Sequence, residues 1–143
     1  MKLSKKIFWL LSFTWGLPMT LLGLTTMAVL LCFGYKPNRN MYGRYIEFGN
    51  NWGGVDLGPI CVVNKNPSRH TLNHEFGHAI QNCFFGPLFP FVIAIPSAAR
   101  YWYREYLVRI KKKKYSDLPD YDAIWFEGSA TRIGNEFYKT LSK

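Results

Sequence analysis

Residues 71–81 read TLNHEFGHAIQ and hold two of the chain's three histidines, four positions apart, with a glutamate beside the first. At 100° per residue, His74 and His78 project about 40° from one another on a helix, so their imidazoles can converge on one point. Neutral imidazole nitrogens bind zinc at about 2.0–2.1 Å, and three protein ligands leave a fourth position for water. Glu75 is rotated about 100° from His74 and reaches the edge of that open position without being a ligand. The chemistry expected is hydrolysis. Zinc would acidify the water and polarise a carbonyl, while Glu75 takes the water's proton and delivers it to a leaving amine. Two histidines can also be ordinary polar-face residues. Here the neighbouring Phe76, Gly77, Ala79 and Ile80 are uncharged, so the helix should be mostly buried, and a buried polar stripe needs a reason.

TLNHEFGHAI resembles the extended signature of zincin metallopeptidases, with an uncharged residue at every position the signature requires. That resemblance implies a third ligand downstream: His, Asp or Glu. No histidine follows His78, and His70 lies upstream. Among the downstream acids, Glu105 has Arg104 and Arg109 for partners at helical spacing. Asp117, Asp120 and Asp122 fall in a loop, and Glu136 lies near a charged end. Glu127 stands in DAIWFEGSATRIG, amid apolar and small residues, where a carboxylate is costly unless paired or bound to a cation. Glu127 is therefore the favoured third ligand.

WFEGSATRIG also resembles the second motif of gluzincins, particularly membrane-bound ones, in which a helix offers a ligand glutamate and then a small residue three later. Ala130 matches that small position and would let the second helix approach the first closely. Several such families place an aspartate next to the small residue to hold a ligand histidine. This chain has Thr131 there, whose hydroxyl accepts that bond less strongly than a carboxylate. The family resemblance also implies an oxyanion partner, for which Tyr121, Arg132 and His70 all remain candidates. The order of the patches looks like that of small bacterial membrane proteins of metallopeptidase type.

The elements that must position these residues can be read coarsely. Leu72, Phe76, Ala79, Ile80 and Cys83 follow a helical period. Ser68 or Thr71 can cap that helix, and Gly86-Pro87 ends it. Residues 44–48, 55–57 and 60–63 read as short antiparallel strands. The strand 60–63 is the one expected at the sheet edge, where an extended substrate backbone could pair. KPNRN, 36–40, reads as a linker. Residues 86–100 are apolar and interrupted by three prolines, which suits either a buried connector or a re-entrant piece. A basic, aromatic helix spans 97–114, and a last helix runs from about Tyr121 to Leu141.

Residues 7–35 carry no charge and are long enough to cross a bilayer core of about 30 Å. Lys2, Lys5 and Lys6 precede the run, and Trp9, Trp15 and Tyr35 lie near its ends. It reads as an uncleaved transmembrane anchor, with Gly16 and Pro18 as sites of a kink; a signal peptide would have a shorter apolar core. All but three of the chain's 18 Lys and Arg fall in 36–143, together with all nine acids. Beside an anchor, that excess suits an anionic lipid surface, and no motif for nucleic acid accompanies it. The lysine run 111–114 tips the orientation towards a cytoplasmic domain. Cys32, Cys61 and Cys83 do not describe a disulfide framework and read as three small buried thiols.

The expectation is an α+β, zincin-like domain over 36–143 behind a basic N-terminus, 1–6, and an anchor, 7–35. It would hydrolyse peptide bonds in a peptide or protein substrate, with His74, His78 and Glu127 on Zn(2+) and Glu75 as base. The competing readings are a zinc-binding membrane scaffold without turnover and a basic membrane-surface protein with an accidental motif. A domain this small leaves little room for a substrate cleft, and that favours the scaffold.

Overall fold

A computed structural model of the chain describes residues 3–142; Met1 and Lys2 of the basic N-terminus, and Lys143, lie outside them. The fold is α+β, with five α-helices and one four-stranded sheet among the described residues.

The apolar run 7–35 is not one helix. It divides into α1, Lys5–Phe13, and α2, Leu17–Cys32, which meet at 92°. No single helix is long and apolar enough to cross a membrane among the described residues, and the run meets that length and hydropathy only as the bent α1–α2 pair, not as the one continuous helix expected. Pro18 lies in the first turn of α2. It has no N–H to continue α1, and its ring would clash with the carbonyl four residues back. Nor is α1 apart from the rest. Phe8 is fully buried against Phe76, Ala79, Ile80 and Phe137.

The strands are β1, Pro37–Asn40; β2, Gly43–Glu47; β3, Gly54–Leu57; and β4, Ile60–Val63. β1 occupies the stretch expected as a linker. The sheet order is β1-β2-β4-β3, and β2 pairs with β4 in parallel, so the sheet is mixed where antiparallel strands were expected. All four residues of β4 are buried. A strand apolar on both faces needs cover on both and takes the centre. β3, with Val55 exposed, takes the edge. The edge strand beside the site is therefore β3, and 60–63 lies inside the sheet.

α3, Arg69–Phe85, begins at Ser68, whose Oγ accepts the Thr71 N–H at 3.0 Å. Every residue from Leu72 to Cys83 is buried, because α5, Trp125–Leu141, covers the polar side of α3. The two helices run antiparallel: Gln81 bonds to Phe126 and Ser129, and Asn73 bonds to Asn135. Between them, a 3₁₀ turn at Gly86–Leu88 and a π-turn at Pro90–Ala94 lead into α4, Ile95–Arg109. α4 thus starts inside the apolar connector and ends before the lysine run. The last helix begins at Trp125, after a single 3₁₀ turn at Tyr121–Ala123. Cys61 and Cys83 are buried thiols as expected, but Cys32 is exposed at the end of α2.

Candidate metal centre

Contact between α3 and α5 is closest at two glycines. A methyl group at Gly77 would overlap the Ala130 carbonyl, and one at Gly134 would overlap that of Asn73. Bare backbone at both points brings the helices together and sets Glu127 against the histidines.

His74 Nε2 and His78 Nε2 lie 3.2 Å apart, and each is 3.1 Å from Glu127 Oε2. All three residues are buried, Glu127 completely, and they form a group able to hold a metal ion. Ligand atoms at about 2.0–2.1 Å from a tetrahedral zinc stand about 3.3–3.4 Å apart, close to the separations seen. Glu127 Oε1 is buried and has no hydrogen-bond partner among the described residues. A fully buried carboxylate is costly in a protein interior unless paired or bound to a cation; here Oε2 meets the imidazoles and the Ser97 hydroxyl also helps to hold the carboxyl low. The donor set and the buried carboxylate both fit a divalent metal.

Neighbours fix how the imidazoles point. Gln81 Nε2 donates to Phe126 O at 2.9 Å and Ser129 Oγ at 2.7 Å. Its Oε1 therefore accepts from His78 Nδ1–H at 2.7 Å, which leaves the His78 Nε2 lone pair facing the centre. His74 Nδ1 lies 2.7 Å from Thr131 Oγ1 and 4.0 Å from Asp122 Oδ1. Thr131 thus stands where the gluzincin pattern would place an aspartate, and Asp122 supplies a carboxylate nearby.

The centre opens on a cleft of about 690 Å³, walled by α3, the edge strand β3 and α4. Space for a substrate is therefore not lacking. Glu75 faces this cleft beside Gly54, where a Cβ would come within 2.6 Å of its Oε1. Burial pushes the Glu75 carboxyl up to about 7, against the pull of His74 and with a further push from Glu127. For Glu127, burial again pushes upward, but the hydrogen bonds with His74 and His78 outweigh it and hold the carboxyl at about 2.

Of the oxyanion candidates, Tyr121 lines the cleft with its ring centroid 6.2 Å from that of His74. Burial pushes its phenol up to about 12. His70 also lines the cleft, 3.9 Å from Asp122. Arg132 is exposed on α5 and outside the cleft lining. Sequence reasoning missed Gln81 and Asp56, a buried edge-strand acid in the same cleft, and set Asp122 aside as a loop acid, while 51–54, readable as the rim of the substrate strand or only a turn, does line the cleft. Only Gln81 carried a local signal, three residues after His78 on the same helix.

These shifts predict opposite limbs in the acid stability of the metal-free protein. Glu127 lies below its ordinary 4.5, so its contribution is present above about 4.5 and is lost as pH falls towards about 2. Glu75 lies above 4.5, so its contribution is present below about 4.5 and is lost as pH rises through about 7. Urea unfolding after chelation, run from about pH 3 to pH 8, should show Glu75→Gln abolishing the loss above 4.5 and sparing the loss below it. A wild-type curve flat between 4.5 and 7 would contradict the assignment.

The chain matches no protein-family model, no curated protein and no solved structure.

Proposed function

We propose that this protein is a zinc-dependent peptidase of gluzincin-like type, with His74, His78 and Glu127 as ligands and Glu75 as general base. The observation that carries the reading is the convergence of those three buried side chains at the wall of a cleft that Glu75 also faces. Two imidazoles and a carboxylate suit zinc and also ferrous iron. A carboxylate base on the same helix favours the hydrolytic metal.

Zinc would supply Lewis acidity to a scissile carbonyl and lower the pKa of a water molecule. Glu75 would accept that water's proton and return it to the leaving amine. Burial raises its carboxyl in the metal-free protein, and a positioned carboxylate is a group able to carry that proton. Tyr121, still protonated at neutral pH, can donate to the carbonyl oxygen as charge develops there. The free edge of β3, where Gly53 to Asp56 line the cleft, offers main-chain partners to an extended polypeptide. Membrane attachment belongs to the same reading, supported by the charge-free run 7–35 and the basic surplus.

Glu75→Gln tests the mechanism. Zinc should remain bound stoichiometrically, while cleavage of an unfolded protein substrate falls by about 10²–10⁴. Wild-type protein that holds zinc and cleaves nothing would favour the scaffold. Cleavage unaffected by Glu75→Gln would remove the general base from the account.

A further inference from the structure

We propose that the two helix breaks form a single lipid-inserting surface that seats the protein in one leaflet of a bilayer. The breaks lie far apart in sequence, at residues 14–16 and 86–94, and they meet in space. Trp15 Nε1 donates to Phe84 O at 3.2 Å, its indole fills the place a methyl would take at Gly86, and Gly16 abuts Asn82. α1 and α3 run side by side in the same direction to reach this point, with Phe8 against Phe76 and Trp15 against Phe84. Around it Phe13, Trp15, Phe84, Leu88, Phe91 and Ile95 are exposed, Phe91 by 69%. α2 leaves the first break at 92° and exposes Leu21, Leu22 and Val29 on its outer side, while Met19 and Gly23 pack inward.

Three observations select lipid as the occupant. Residues 7–35 and 79–99 contain no charged side chain, and an exposed apolar surface of this extent marks a membrane or protein contact, between which the next two observations choose lipid. Along α4, exposed Ile95 is followed by the exposed rings of Trp102, Tyr103 and Tyr106 and then by Arg109 and the lysines 111–114, while Arg100 and Arg104 between them turn to main-chain carbonyls of residues 119–121 and Glu105 pairs with Arg109. That is the order of acyl chains, interface and headgroups across a leaflet. No acid precedes Glu47, so the flanking Lys5, Lys6 and Lys36 have no acid of their own segment nearby and suit anionic headgroups. The hydroxyls agree with this solvent. Ser12, Thr14, Thr20 and Thr25 each donate to a main-chain carbonyl within the run, Thr14 and Thr25 although exposed, and only Thr26 of the run's Ser and Thr hydroxyls makes no such bond. Hydrocarbon demands such internal satisfaction.

One leaflet follows from length. The 16 residues of α2 reach about 24 Å and the nine of α1 about 14 Å, both short of a core of about 30 Å. With α1 directed into the layer, a 92° turn lays α2 along it.

The full-length protein reconstituted in vesicles of phosphatidylcholine and phosphatidylglycerol tests this without any measure of peptidase turnover. A fluorophore on Phe91→Cys, in a Cys32→Ser background, should be quenched by brominated acyl chains. The same label on Leu141→Cys, at the opposite end of the α3–α5 pair, should not. Ser4→Cys and Lys36→Cys should both react, or both be shielded, when an impermeant maleimide is added outside. Leu88→Glu combined with Phe91→Glu should lower vesicle binding by about tenfold or more, and Leu141→Glu should leave it unchanged. Labelling of residues 4 and 36 from opposite sides would overturn the single-leaflet seat. An unquenched label at position 91, including one buried by a second copy of the chain, would overturn lipid as the occupant.

Discussion

Glu127→Ala is expected to abolish tight metal binding and to destabilise the metal-free fold. The carboxylate supplies one of three ligand atoms that lie 3.1–3.2 Å apart. Losing a residue that only orients a ligand costs about 10–100-fold in metal affinity, and losing a ligand itself should exceed that. The metal-free fold should lose stability as well, because the contribution of the depressed carboxyl goes with the side chain and truncating a fully buried residue leaves a cavity. His78 keeps its bond to Gln81. The readout is a pair of unfolding curves. Zinc should raise the melting temperature of wild type, since a ligand bound only by the folded state adds stability in proportion to the logarithm of its saturation. The same zinc should do little for Glu127→Ala. Wild-type zinc affinity in the variant would place the ion elsewhere and end the proposed centre.

Gly77→Ala should destabilise the protein, although helix propensity alone forecasts the reverse. Alanine in a helix interior is favoured over glycine by about 0.8–1 kcal/mol. At position 77 the added methyl would overlap the Ala130 carbonyl, and backbone cannot swing aside as a side chain can. Overpacking of this kind costs typically about 1–3 kcal/mol and occasionally more, so packing wins. α5 must move away from α3, and Glu127 lies three residues before the point of contact. Metal affinity should therefore fall along with stability, by an amount that denaturant titration with and without zinc would separate. Gly134→Ala, against the Asn73 carbonyl, should behave alike. A more stable Gly77→Ala would mean that the helices do not touch here.

The parts legible in the chain were those that depend on near neighbours. The period of Leu72, Phe76 and Ile80 and the Ser68 cap are local, and the helix formed where they indicate. Glu127 could be picked out because an acid among apolar residues is expensive wherever the chain goes, and the structure buries it completely. Thr131 was reached through the resemblance to the gluzincin second motif, and it lies against His74.

What residues far apart in sequence do to one another was decided only in three dimensions. No pattern within 60–63 tells whether that strand lies at the edge; the order β1-β2-β4-β3 emerges when β4 must be covered on both faces. Pro18 marks a break, but neither the 92° turn nor the docking of Trp15 against Gly86 is written in the local sequence. Asp122 and Gly54 reach His74 and Glu75 through loop and strand placements that leave no periodic trace. Composition and short-range spacing therefore sufficed for the ligand types and their helix. The cleft, its edge strand and the joined breaks were settled by tertiary packing, because each depends on which surfaces exclude water together.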